Sequence, residues 1–91
     1  MASADKMLRS HLAAMDGLAS KMGYEMLMES AEGRAVLVTI RKRGGTRFEG
    51  VGSTFQVALK RAIMALQDET LYMSAKRREQ VLDILEQSGV I

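Results

Sequence analysis

The sequence predicts an α+β fold: one three-stranded antiparallel sheet with helices packed on one face, in the order α-β-β-β-α-α. Three observations predict it. Apolar residues recur at spacings of three and four near the start of the chain and again after Thr54. Three short segments of alternating polarity lie between those stripes. Gly33 and the pair Gly44-Gly45 separate the segments, where tight turns belong.

Each element has its own local reason. Leu8, Leu12, Met15, Leu18 or Ala19, and Met22 mark one face of a helix from about Ala4 to Met22. Gly17 weakens that helix by roughly 1 kcal/mol relative to alanine, and Gly23 is placed to end it. Tyr24, Met26 and Met28 alternate as in a half-buried strand, and residues 30–33 read as a turn. Val36, Val38 and Ile40 give one face of a second, β-branched strand. Residues 47–51 form the third. Ser53 or Thr54 offers a hydroxyl to cap the next helix. Its stripe of Phe55, Ala58, Leu59, Ala62, Ile63 and Leu66 is the cleanest in the chain. After a junction near residues 68–73, Ser74 caps a last helix. Its apolar edge is Val81, Leu82 and Leu85, with Ile84 displaced to one side, and Gly89 closes it. The chain reads as one domain over residues 1–91, with a core over 4–70 and an additional helix over 74–88.

Composition sets bounds on function. The 91 residues are 47% hydrophobic and 26% charged, enough for one modest core. With no cysteine, disulfides and thiolate metal sites are excluded. No apolar run approaches the ~20 residues that span a bilayer, and the first residues lack the apolar stretch of a secretory signal. A cytoplasmic protein with no membrane association is expected. Net charge is +2, unevenly distributed. Residues 34–61 hold seven of the 13 bases and one of the 11 acids, a net +6; the remainder nets −4. A basic middle between acidic flanks suits an anionic partner.

Tyr24-Glu25 at the first strand, Glu29-Ser30 before the Gly33 turn, Gly44-Gly45, the run Gly50-Val51-Gly52-Ser53-Thr54 and the small face of Ala58, Ala62, Ala65 and Leu66 together resemble a double-stranded RNA-binding domain over residues 8–67. The resemblance implies an α-β-β-β-α fold and RNA binding through lysines at the start of the last family helix. At the matching positions this chain has Phe55, Gln56 and Leu59, and its first turn has Glu32 and Arg34 where the family usually has a histidine.

The most concentrated charge feature is Arg41-Lys42-Arg43 with Arg47 across the turn. A hairpin tip with four bases can touch phosphates or an acidic protein surface; the plainer reading is a solvated tip. Lys60 and Arg61 lie off the apolar stripe and can extend that surface or simply keep the helix soluble. Of the aromatic residues, only Phe48 lies close by, so the interleaving that a single-strand binder uses is nearly absent. Lys76-Arg77-Arg78 opposes the dipole of the last helix, which hints at a use. Gly50-Val51-Gly52 lacks the remaining residues of a nucleotide loop. His11, the only histidine, reads as a surface or helix-flank residue, and the eight methionines read mainly as core. Neither catalytic set, metal site nor cofactor site emerges.

Two functions are therefore expected. One is a non-catalytic module that binds and inhibits a larger protein or nucleoprotein complex; in size and plan the chain resembles small phage and mobile-element accessory proteins, anti-CRISPR inhibitors among them. The other is a module binding double-stranded RNA, or DNA, through the basic hairpin and following helix. The apolar edge of the last helix also offers a surface for a partner or for a second copy of the chain.

Overall fold

A computed structural model describes residues 2–91. The elements are α1 (Ala2–Met22), β1 (Glu25–Ser30), β2 (Val36–Arg41), β3 (Arg47–Gly52), α2 (Phe55–Glu69) and α3 (Ala75–Gln87), with short 3-10 turns at Glu32–Arg34 and Thr70–Tyr72. The strands form one antiparallel sheet in the order β1-β2-β3. The fold is α+β in the order α-β-β-β-α-α, as the apolar patterning predicts.

Register follows from side-chain alternation. Met26 and Phe48 flank Ile40, and Met28 and Gly50 flank Val38. This row of residues faces the helices. Along β3, Phe48, Gly50 and Gly52 are buried, whereas Arg47, Glu49 and Val51 point to the opposite, exposed face. The β2–β3 turn closes with Gly45 N–H donating to the Lys42 carbonyl at 2.8 Å, and Gly44 takes φ +73°, the left-handed region where glycine pays no steric cost.

Helix α2 lies over β2 and β3 and buries Ala58, Leu59, Ala62, Ile63 and Leu66. Thr54 Oγ1 accepts from Val57 N–H at 3.2 Å, satisfying one of the donors left open at the helix start. Thr54→Ala is expected to lower stability by about 1 kcal/mol, read as a shift in the chemical denaturation midpoint with unchanged slope. An unchanged midpoint would show that the cap contributes nothing.

Helices α1 and α3 differ in detail from their sequence patterns. Among the described side chains of α1, His11, Ala14, Met15, Leu18 and Met22 are buried, whereas Leu12 and Ala19 are exposed. The cause is α3. A Cβ on Gly17 would stand 2.8 Å from Ile84 Cγ2, so Ile84 seats directly on that glycine. The small residues Ala14 and Gly17 turn the buried face toward α3 and leave Leu12 in solvent. Ile84 is thus buried with Val81 and Leu85 and not displaced to one side, while Leu82 is half-buried. These three α3 residues belong to the same core as Leu18, Ile40, Leu59 and Leu66, so α3 completes the core expected over 4–70. His11 is likewise no surface residue: it is 8% exposed. The methionines divide. Met15 and Met22 are buried, but Met7, Met28 and Met64 are exposed.

Candidate binding surface

The β2–β3 hairpin sets Arg41 opposite Arg47. Both stand on the face of the sheet away from the helices, and Lys42 and Arg43 follow in the turn. Arg41 Nε donates to Glu25 Oε1 across the β1–β2 pair at 2.7 Å. This exposed ion pair holds Arg41 in place more than it stabilises the fold. The depression bounded by Glu25, Arg41, Lys42, Arg43 and Arg47 has a volume of about 480 Å³.

The hairpin end is wider than the hairpin. Helix α1 finishes beside it with Lys21, and α3 starts beside it with Ser74, Lys76 and Arg77. These residues and Lys42 enclose a second depression of about 430 Å³ with no carboxylate in its walls. Lys42 lines both depressions. A third, of about 310 Å³, joins at Ser74 and Arg77 and is edged by Tyr72. Tyr72 and its neighbour Leu71 are 82% and 75% exposed, the most exposed large apolar side chains among the described residues. One end of the molecule therefore combines cations from three elements with an apolar pair. Pattern reading finds the four hairpin bases and, separately, the Lys76-Arg77-Arg78 run, but it does not bring Lys21, Lys76, Arg77 or Tyr72 to the hairpin, because their approach depends on where α1 stops and how the Thr70–Tyr72 turn redirects the chain.

Part of the Lys76-Arg77-Arg78 run has an internal explanation. Arg77 Nη2 donates to Tyr24 Oη at 3.2 Å. Arg78 donates to the Thr70 carbonyl through Nε at 3.0 Å and to the Met73 carbonyl through Nη2 at 3.3 Å, tying α3 to the turn before it. Lys76 is exposed. Phe48 is buried against Tyr24, ring centroids 6.3 Å apart, and both line the third depression.

Lys60 and Arg61 are exposed but lie elsewhere. Arg61 Nη1 donates to the Val51 carbonyl at 2.6 Å, roughly 13 Å along β3 from Arg47. Lys60 borders a separate groove between α1 and α2. The six predicted bases thus divide into four at the hairpin end and two on α2. Among the positions where the resemblance would place phosphate-clamping lysines, Leu59 is fully buried and Phe55 is partly buried. Gly50 and Gly52 lie beneath α2: added Cβ atoms would meet Ala58 O at 2.1 Å and Val57 Cγ1 at 2.6 Å. These glycines serve close helix packing.

Among the described residues no three His, Cys, Asp or Glu side chains gather where they could hold a metal ion. No described helix is long and apolar enough to cross a membrane. No protein-family model, curated protein or solved structure matches the chain.

Proposed function

We propose that the chain is a non-catalytic binding module that docks its basic end on a larger protein or nucleoprotein complex and inhibits it by occupying an anionic surface, in the manner of small phage or mobile-element accessory proteins. The observation that carries this reading is the convergence of Arg41, Lys42, Arg43 and Arg47 with Lys21 and Lys76 around adjoining depressions. The exposed pair Leu71 and Tyr72 beside them favours a protein surface, because protein interfaces combine an apolar anchor with a charged rim.

Direct binding of double-stranded RNA or of DNA is the second reading. The same cations favour it, working through the hairpin and not through the start of α2, where Leu59 is in the core. A single experiment separates the readings. The tagged chain is used to capture partners from lysate of the cells that carry it, with and without nuclease, beside a variant with Arg41, Lys42, Arg43 and Arg47 all replaced by alanine. The expected result is a protein partner retained after nuclease and bound at least about tenfold more weakly by the variant, a difference of about 1.4 kcal/mol. Loss of all partners on nuclease treatment would favour the second reading. In that case affinity for a duplex must fall steeply with salt, and the variant must lower the slope of log K against log salt by about 3–4. A variant that binds like the parent in both assays would remove the basic end from the function.

A further inference from the structure

Strand β1 is an edge of the sheet: it pairs with β2 on one side and, among the described residues, no backbone group bonds to it on the other. A strand edge in that state is a template for another strand, and proteins commonly blunt it with proline, lysine or a covering segment. Residues 25–30 contain neither proline nor a base. The opposite edge is less open, since Arg61 Nη1 already occupies the Val51 carbonyl on β3.

Apolar side chains continue from the β1 edge onto the helix above it. Met28 is 60% exposed, and Met26 and Leu27 are half-buried. Helix α2 covers β2 and β3, whereas α1 contacts β1. Gly17 seats α3 on one flank of α1, and the residues after α3 meet α2 on that same side. Leu12 and Ala19, two turns apart on the other flank, therefore stand over the free edge, and both are exposed. They are the two residues of the predicted α1 stripe that the core leaves in water.

The sequence of the strand specifies the occupant. Residues 25–29 read Glu-Met-Leu-Met-Glu, the same in both directions. An antiparallel copy turned about a two-fold axis at Leu27 sets the two Leu27 side chains against each other and Met26 against Met28 of the second copy, each pair on one face of the sheet. Both copies keep their helices on the same side, so Leu12 approaches Ala19 of the second copy. Glu25 falls opposite Glu29 of the second copy, but Arg41, held on Glu25 at 2.7 Å, is next in that row and offsets the repulsion. A foreign strand would have to bring this order of apolar and polar residues; a second copy already has it.

We propose that two copies of the chain pair through β1, joining their sheets into one continuous antiparallel sheet with the two-fold axis at Leu27. The paired length is roughly 17 Å over five residues. The contact is therefore small and the dimer reversible, with a dissociation constant on the order of 10–100 μM. The assignment does not rest on the reading of the basic end, and it is tested on the chain alone, with no other partner present.

The test is sedimentation equilibrium of the full chain at concentrations from about tenfold below to about tenfold above that constant. The expected result is a monomer–dimer equilibrium. Met28→Lys should weaken it at least about tenfold, because a charge then replaces half of each Met26–Met28 pair; Met28 is exposed, so the monomer keeps its core. Glu29→Lys should strengthen it about threefold or more, because the like-charge pair with Glu25 becomes an attractive one. Met64→Lys, at an exposed methionine of α2, should leave it unchanged. A chain that stays monomeric across the range would overturn the assignment. So would association that Met28→Lys leaves intact or that Met64→Lys removes, either of which moves the contact to another surface, or association that Glu29→Lys weakens, which moves the axis away from Leu27.

Discussion

Replacing Gly50 with alanine is expected to abolish cooperative folding. A Cβ at that position would stand 2.1 Å from the Ala58 carbonyl oxygen, 2.3 Å from Ala62 N and 2.8 Å from Arg61 Cβ. The two nearest atoms are helix backbone, so no change of rotamer can relieve the overlap. Helix α2 must lift from β3, and with it go the contacts of Leu59, Ile63 and Leu66, all fully buried. The cost should exceed the 1–3 kcal/mol usual for an overfilled core, against a total stability of about 5–15 kcal/mol for a native domain. Gly52→Ala is the informative comparison. Its two nearest obstacles are Val57 side-chain atoms at 2.6 and 2.9 Å, with Ala58 N at 3.0 Å, and a side chain can yield where a peptide unit cannot. Thermal unfolding followed by circular dichroism should show a loss of the sharp transition for Gly50→Ala and a smaller shift for Gly52→Ala. If the Gly50 variant melts like the parent, the close seating of α2 on β3 is wrong.

Ending the chain after Thr70 is expected to unfold what remains. The deleted segment contributes Val81, Ile84 and Leu85 to the core. Each such side chain is worth roughly 1.5–3 kcal/mol on burial, together about 5–9 kcal/mol, comparable with the whole stability of a domain of this kind. The truncation also uncovers Gly17 and the α1 face around it, and it removes the Arg77 bond to Tyr24. Circular dichroism and amide proton dispersion of the truncated chain should show loss of tertiary order. A truncated chain that stays folded and loses a partner, or ceases to dimerise, would instead make α3 an interaction arm.

Which parts of this were legible in the sequence follows from how far each signal reaches. The stripe of α2 and the alternation of Val36, Val38 and Ile40 are carried by neighbouring residues; Val38, Ile40 and the α2 stripe from Ala58 to Leu66 are buried, Val36 and Phe55 are partly buried, and Thr39 is buried on the other face of the central strand. The Gly44-Gly45 turn is equally local. Helix α1 is different. Its periodicity admits Leu12 as readily as His11 and Ala14, and the choice is made by Ile84, a residue far away in the chain that needs the space above Gly17. Burial of His11 follows from that same rotation. At the basic end, the four hairpin bases are visible as a run. Lys21 and Lys76 join them only because two helix ends arrive there, and Tyr72 is set beside them by a three-residue turn that carries no pattern of its own.

The pairing of α1 with α3 bears on the order in which the chain can assemble. From β2 through β3 to α2, each element contacts the one that follows it, so these contacts close short loops. By contrast, Lys21 Nζ donates to Gln87 Oε1 at 3.4 Å across 66 positions of sequence, and Ile84 meets Gly17 over a similar span. Loop-closure entropy rises with the logarithm of length, and non-local contacts slow folding. The hairpin with α2 is therefore expected to form first, and the clasp between the two outer helices last. Until that clasp closes, the apolar faces of α1 and α3 are open to water, which makes a chain with an unformed clasp the form expected to aggregate with its copies.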